Sequence, residues 1–188
     1  MLGVPHAVKP GRLSGLFHIY PQVYRDERGY FLEVFEKRRY QTLLGITDEF
    51  VQDNRSYSAA GVIRGLHFQQ HYPQGKLIRV VSGAVFDVAV DLRTDSATFG
   101  QWESVVLSAD DQAQLWIPPG FAHGFAVLSP QGAEVEYKCT GYYHAGDERC
   151  LRWDDPALQI PWPVETPILS EKDQQGLTLE ALRACGYC

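Results

Sequence analysis

Residues able to move protons gather around one stretch of this chain. Gln52 to Gln69, QDNRSYSAAGVIRGLHFQ, sets polar groups, two arginines and a histidine into a segment that otherwise reads as strand. A strand used only for packing has little need of so many polar groups beside Val62, Ile63 and Leu66. Its end, Arg64 to Gln69, is where chemistry is expected. Lys76, the segment Pro119 to Phe125 around His123, and Tyr137 follow it. His67 and Tyr137 are a candidate base and acid. Lys76, Arg64, Arg28 and Lys172 are candidates for holding an anion or a developing oxyanion. The run Ser170-Glu171-Lys172-Asp173 offers a carboxylate that could orient a histidine. Such a set suits removal and return of a proton beside a carbonyl.

Each of these residues also has a plainer reading. His67 could be a satisfied strand histidine, His123 a hydrogen-bonded turn residue, Tyr137 a core tyrosine, and any one cation a solvated surface charge. Two observations favour the chemical reading of His67: Arg64 lies three residues before it, and Gly65 leaves room for a ligand to approach the backbone. Strict alternation puts His67 on the face of Ile63, Gly65 and Gln69, with Arg64 opposite. For both to reach one pocket, the strand has to bend or bulge near Gly65.

The elements that must position these groups read mainly as short strands. Residues 13–35 form two strands around the charged turn Tyr24 to Gly29. Glu36 to Leu44 is a helix closed by Gly45. Lys76 to Val81 and Ala84 to Arg93 are strands flanking a tight hairpin turn at Ser82-Gly83. In the second, Phe86, Val88, Val90 and Leu92 alternate with Asp87, Ala89, Asp91 and Arg93, an apolar face and a charged one. Gln101 to Leu107 and Gln114 to Ile117 are further strands. His123 to Leu128 and Ala133 to Tyr142 form the next pair, in which Val135, Tyr137 and Cys139 share the inward face. Residues 144–168 read as an irregular wrap. Ser170 caps a turn through Asp173, and Leu177 to Cys185 is a short helix. Many short strands with Gly/Pro turns and little helix indicate a sandwich or barrel. Without a linker or repeat, the chain reads as one domain over 1–188.

Composition narrows the function. A net charge of −6 argues against a general nucleic-acid binder, though a local basic cluster can still hold an anionic small ligand. No apolar run approaches membrane-spanning length and no leader pattern opens the chain, so a cytoplasmic protein is expected. Cys139, Cys150, Cys185 and Cys188 lack zinc-ribbon spacing, and the Cys185/Cys188 pair reads as a frayed tail. Phosphate loop, dinucleotide fingerprint and nucleophile elbow are all missing.

The chain resembles the dTDP-4-dehydrorhamnose 3,5-epimerase family of the cupin superfamily. The resemblance rests on DERGYFLE at 26–33, QDNRS at 52–56, VIRGLHFQ at 62–69 and QGKLIRVVSGAVFDVAVDLR at 74–93. It continues through FGQW at 99–102, LWIPPGFAHGF at 115–125, EYKCTGYY at 136–143, Glu148, RWDDP at 152–156 and SEKD at 170–173. It implies an antiparallel jelly-roll β-barrel with a few short peripheral helices, a homodimer, no cofactor, and a dTDP-4-keto-6-deoxyhexose substrate. His67 would be the general base, oriented by Asp173; Tyr137 the acid on the other face of the sugar; Lys76 the partner of the enolate oxygen. Arg28, Glu33, Gln52, Asn54, Arg64, His123, Glu148 and Lys172 would bind the nucleotide-sugar, some of them from the partner subunit.

A metal-dependent cupin is the competing reading. Pro118-x-Gly120-x-x-His123 matches the second half of a metal-binding cupin pattern, and His67 begins the first. A second histidine is expected where Gln69 stands, and an amide is a poor ligand beside imidazole and carboxylate. No metal is therefore expected. A non-catalytic sugar binder is a third reading, against which His67, Tyr137, Lys76 and Asp173 stand together. Arg55 and Gly141 depart from the residues common in the family and leave single epimerisation, at C3 or C5 alone, as an alternative.

Overall fold

The structure, a computed structural model, describes residues 7–188. Two antiparallel sheets face each other. The six-stranded sheet runs, in spatial order, β1 (Ala7–Pro10), β2 (Phe17–Tyr20), β10 (Gln114–Ile117), β7 (Lys76–Ser82), β12 (Ala133–Cys139) and β5 (Gln52–Ser58). The five-stranded sheet runs β13 (Glu148–Cys150), β6 (Ile63–Gln69), β11 (Phe121–Val127), β8 (Ala84–Asp91) and β9 (Trp102–Ser108). From β5 to β8 and again from β11 to β12, the chain passes from one sheet to the other at each turn. This is the jelly-roll arrangement that the family resemblance implies, within the sandwich or barrel indicated by the short strands.

Two expected pairings are corrected by this topology. Ser82-Gly83 is a corner between sheets and not a hairpin, because β7 bonds to β10 and β12 while β8 bonds to β11 and β9. Gly83 makes the corner at φ 76°, where an added Cβ would lie 2.4 Å from the Gly132 carbonyl oxygen. Likewise β11 and β12 are not partners: β11 lies between β6 and β8, and β12 between β7 and β5. In both cases consecutive strands bury side chains against each other across the core, an outcome that turn chemistry alone does not distinguish from a hairpin.

Alternation then sorts the side chains. Ile78, Val80, Val135, Leu115 and Ile117 from one sheet meet Val85, Ala89, Phe121, Phe125 and Val127 from the other. The outer face of the five-stranded sheet is buried too. Leu66, Phe68, Val88 and Val90 pack there against Leu151, Leu158 and Leu182. Hence β8 is covered on both faces, and its charged side points into the barrel, with Asp87 and Asp91 fully buried. Asp91 is satisfied by Arg93, Ser96 and Thr98. The wrap beyond β13 and helix α3 (Leu179–Ala184) supply the outer cover.

Helix α1 (Lys37–Leu44) covers the other sheet. Glu36 accepts the Arg38 and Arg39 backbone N–H groups, and Gly45 closes the helix at φ 65°. Tyr40 and Leu44 bury against Ile19, Leu77 and Trp116. Hairpin β3 (Val23–Asp26) and β4 (Gly29–Leu32) stands as a separate two-stranded sheet with Tyr30 and Phe31 exposed. Helix α2 (Glu171–Gln174), capped by the Ser170 hydroxyl, packs on β6. No described helix is long and apolar enough to cross a membrane.

Candidate active site

The site begins at an irregularity. On β11, His123 and Phe125 are two residues apart; their partners on β6, His67 and Arg64, are three apart. The extra residue on β6 is a bulge, and Gly65 lies within it at φ 112°. A Cβ there would stand 2.6 Å from the Gly124 Cα. Because His123 and Phe125 share the barrel-facing side, Arg64 joins His67 on that side. The grouping of His67 with Ile63 is thereby corrected: the bulge shifts the alternation by one.

His67 Nε2 lies 2.5 Å from Asp173 Oδ1. The two side chains differ in exposure, 23% for His67 and 3% for Asp173. Burial pulls the Asp173 carboxyl upward; the bond to His67, the Ser170 hydroxyl and the Lys172 charge outweigh it and hold it below the usual carboxylate range. An ionised carboxylate only accepts, so Nε2 carries a hydrogen. The geometry therefore orients the ring through Nε2 and leaves Nδ1 outside the bond to Asp173.

Across the barrel, Tyr137 lies opposite Ile78 and Asn54, and Lys76 opposite Cys139. Along β7 and β12 the interior thus changes from Val80 and Val135 to Lys76, Tyr137 and Cys139. Burial, then the Cys139 and Glu148 groups, push the Tyr137 phenol above its ordinary value, with Arg64 opposing. The phenol keeps its proton and is a donor. Burial pulls the Lys76 ammonium below its usual range, against Cys139, Glu148 and Asp87. Glu148 joins the two sheets electrostatically. Its carboxylate accepts from Lys172 Nζ at 2.8 Å and from the Tyr143 hydroxyl at 3.0 Å, and it feels His67. Gln52 donates to Asn54 Oδ1 and accepts the Tyr143 backbone N–H, extending the cluster along β5. Tyr143 was not singled out from the sequence; the adjacent Tyr142-Tyr143 after β12 was the available signal.

The other expected site residues have partners of their own. Arg28 is at the exposed tip of the β3–β4 hairpin, bonded to Asp26. Glu33 follows that hairpin and pairs with Arg39 of α1. His123 is opposite His67 in the sheet, but its Nε2 lies 2.9 Å from a fully buried Asp87 oxygen. Arg64 donates to the Ser58 hydroxyl and the Tyr57 carbonyl. Gln69 clamps two loops: its amide donates to the Tyr72 and Tyr142 carbonyls and accepts the His144 N–H. That use explains an amide at the position where a metal-binding cupin needs a ligand.

A cupin-type jelly roll with acid–base groups facing its interior is the class that fold and cluster define. The sequence model for dTDP-4-dehydrorhamnose 3,5-epimerase matches residues 10–181. The Pseudomonas aeruginosa dTDP-4-dehydrorhamnose 3,5-epimerase is 54% identical over 157 residues, 83% of this chain and 86% of that protein. A crystal structure of the Legionella pneumophila dTDP-6-deoxy-D-glucose-3,5-epimerase in complex with dTDP-4-keto-L-rhamnose is 50% identical, with a TM-score of 0.93 over 96% of each chain. A Streptomyces bikiniensis 3'-monoepimerase, in complex with dTDP-quinovose, is 30% identical, with a TM-score of 0.89 over 95% of this chain and 90% of that one. The chain belongs to the dTDP-4-dehydrorhamnose 3,5-epimerase family.

Proposed function

We propose that this protein is an isomerase that inverts C3 and C5 of dTDP-4-dehydro-6-deoxy-D-glucose, giving dTDP-4-dehydro-L-rhamnose without a cofactor. The observation that carries the reading is the His67–Asp173 pair at 2.5 Å inside a barrel of this family. The substrate's C4 ketone acidifies the hydrogens on C3 and C5. His67 Nδ1 takes one of them, and the C–H electron pair moves onto the C4 oxygen. Lys76 stabilises that oxyanion, and Tyr137 returns a proton to the opposite face of the same carbon. Proton exchange with solvent returns His67 and Tyr137 to their starting states, and repetition at the second carbon completes the double inversion. Asp173 holds the tautomer throughout.

Arg64, Gln52, Asn54, His123, Glu148 and Lys172 are assigned to the nucleotide-sugar. Arg28 and Glu33, displaced on their hairpin, are assigned to the cavity of a partner subunit in a homodimer; the exposed Tyr30 and Phe31 supply apolar surface for that contact. The reaction is placed in the cytoplasm.

Incubation with substrate in D2O, followed by NMR at both carbons, tests the reading. Deuterium at C3 and C5 is expected. Incorporation at one carbon alone would make this a mono-epimerase, the activity named for the 30%-identical structural relative. Incorporation at neither removes the epimerase reading altogether.

A further inference from the structure

Behind His67 and Asp173 stands a residue that the reaction does not use. Cys150, on edge strand β13, is opposite His67 in the sheet register. Its Sγ lies 4.0 Å from Asp173 Oδ1, the oxygen that bonds His67 Nε2. The donor atoms of His67, Cys150 and Asp173 all lie within 4.8 Å of one another. One imidazole nitrogen, one sulfur and one carboxylate oxygen are thus neighbours, with Asp173 nearly inaccessible to solvent.

We infer that His67, Cys150 and Asp173 form a binding site for a thiophilic divalent cation such as Zn2+, Cd2+ or Co2+, and that occupation of this site switches off proton transfer. The donor types suit these ions and not Mg2+, which prefers an all-oxygen shell. Bond lengths of about 2.0 Å to nitrogen and oxygen and about 2.3 Å to sulfur require the His67–Asp173 contact to open and the thiol to move inward. The ion takes the place of the hydrogen between Nε2 and Oδ1. That hydrogen moves to Nδ1, the thiol releases its proton to solvent, and the complex forms with one net proton lost. Nδ1 then has no lone pair with which to attack a C–H bond. Thiolate and carboxylate together offset the ion's two charges, and Lys172 is already paired with Glu148.

This ligand set shares only His67 with the cupin pattern, in which Gln69 and His123 would take part. Cys150 lines an open cleft of about 390 Å3 together with Glu148, Glu171, Lys172, Gln175 and Leu177. A cation entering this cleft meets Cys150 of the three donors first. The inhibitory half of the inference rests on His67 being the base; the binding half does not.

The test uses the full chain, freed of metal with a chelator and titrated with Co2+. A near-ultraviolet thiolate-to-cobalt band saturating at one equivalent is expected, with solvent exchange into substrate falling at least about tenfold and recovering on chelation. Mg2+ should give neither effect. The band should survive in the Cys185→Ser/Cys188→Ser variant, which lacks the tail thiols. It should vanish in Cys150→Ser, with basal exchange unchanged and now resistant to the metal. Absence of the band, or a band that follows the tail thiols, overturns the site. If Cys150→Ser does not fold, 113Cd NMR of the native chain decides: a one-sulfur donor set with nitrogen and oxygen upholds the site, and a two-sulfur set rejects it. A Cys150-dependent band in a protein with no exchange activity would uphold the site and sink the epimerase reading instead.

Discussion

Two histidine–aspartate pairs lie side by side in one sheet, and they are built for different work. His67 draws its aspartate from α2, outside the sheet, 106 residues along the chain. His123 draws Asp87 from the adjacent strand β8, 36 residues away. The first imidazole is 23% exposed and the second 8%. The same two functional groups thus give a pair open on one side and a pair closed on both. A histidine beside a carboxylate is therefore not sufficient to mark an active site. What distinguishes His67 is its greater exposure and a carboxylate supplied from outside the sheet.

The most severe way to break this contrast is His67→Asn. Loss of the proposed base should lower exchange by about 10³-fold or more while leaving the melting temperature near native. Retained exchange would erase the distinction between the pairs. His123→Ala should act the other way. It strips the Asp87 carboxylate of its partner in a buried setting, so a stability loss of about 3 kcal/mol in denaturant unfolding is expected. Folded His123→Ala that loses as much exchange as His67→Asn would show both pairs to be catalytic.

Asp173→Asn sharpens the comparison through pH. The folded carboxyl titrates below its unfolded range, so its ionised form contributes stability fully above about pH 4, a contribution lost as pH falls through the folded value. The variant should unfold with a shallower pH dependence in that acid window and exchange about 10²-fold more slowly at neutral pH. Identical acid slopes for both proteins would mean the pair does not stabilise the fold. Ser170→Ala is the mildest probe. Without its hydroxyl, α2 loses a capping bond to the Asp173 N–H, at about 1 kcal/mol. Exchange should drop modestly through the open pair alone, and a drop that glycerol or low temperature leaves unchanged while stability is native would point to some other role for Ser170.

How much of this was legible in the sequence depends on the range of the interaction. Alternation along Ala133 to Cys139 placed Tyr137 inward, because that strand is regular and apolar on one face. The Ser170 to Asp173 cap was legible as a local motif. The side on which Arg64 lies was not, since the bulge exists only in the register between β6 and β11. Nor could local patterning show that β11 and β12 belong to different sheets, or that the charged side of β8 is interior. Asp91 is tolerated there because Arg93, Ser96 and Thr98 surround it, a cluster that only the folded loop assembles. Cys150 was passed over because its neighbours, His67 and Asp173, are distant in sequence and adjacent only across β13 and α2.

Among the described residues, the carboxylate bonded to His67 arrives on the second of three helices, after the thirteen strands. During synthesis, both sheets can be complete while the imidazole still lacks its anchor. A polypeptide stopped before Ser170 would then carry both sheets with His67 unanchored, whatever part that imidazole plays.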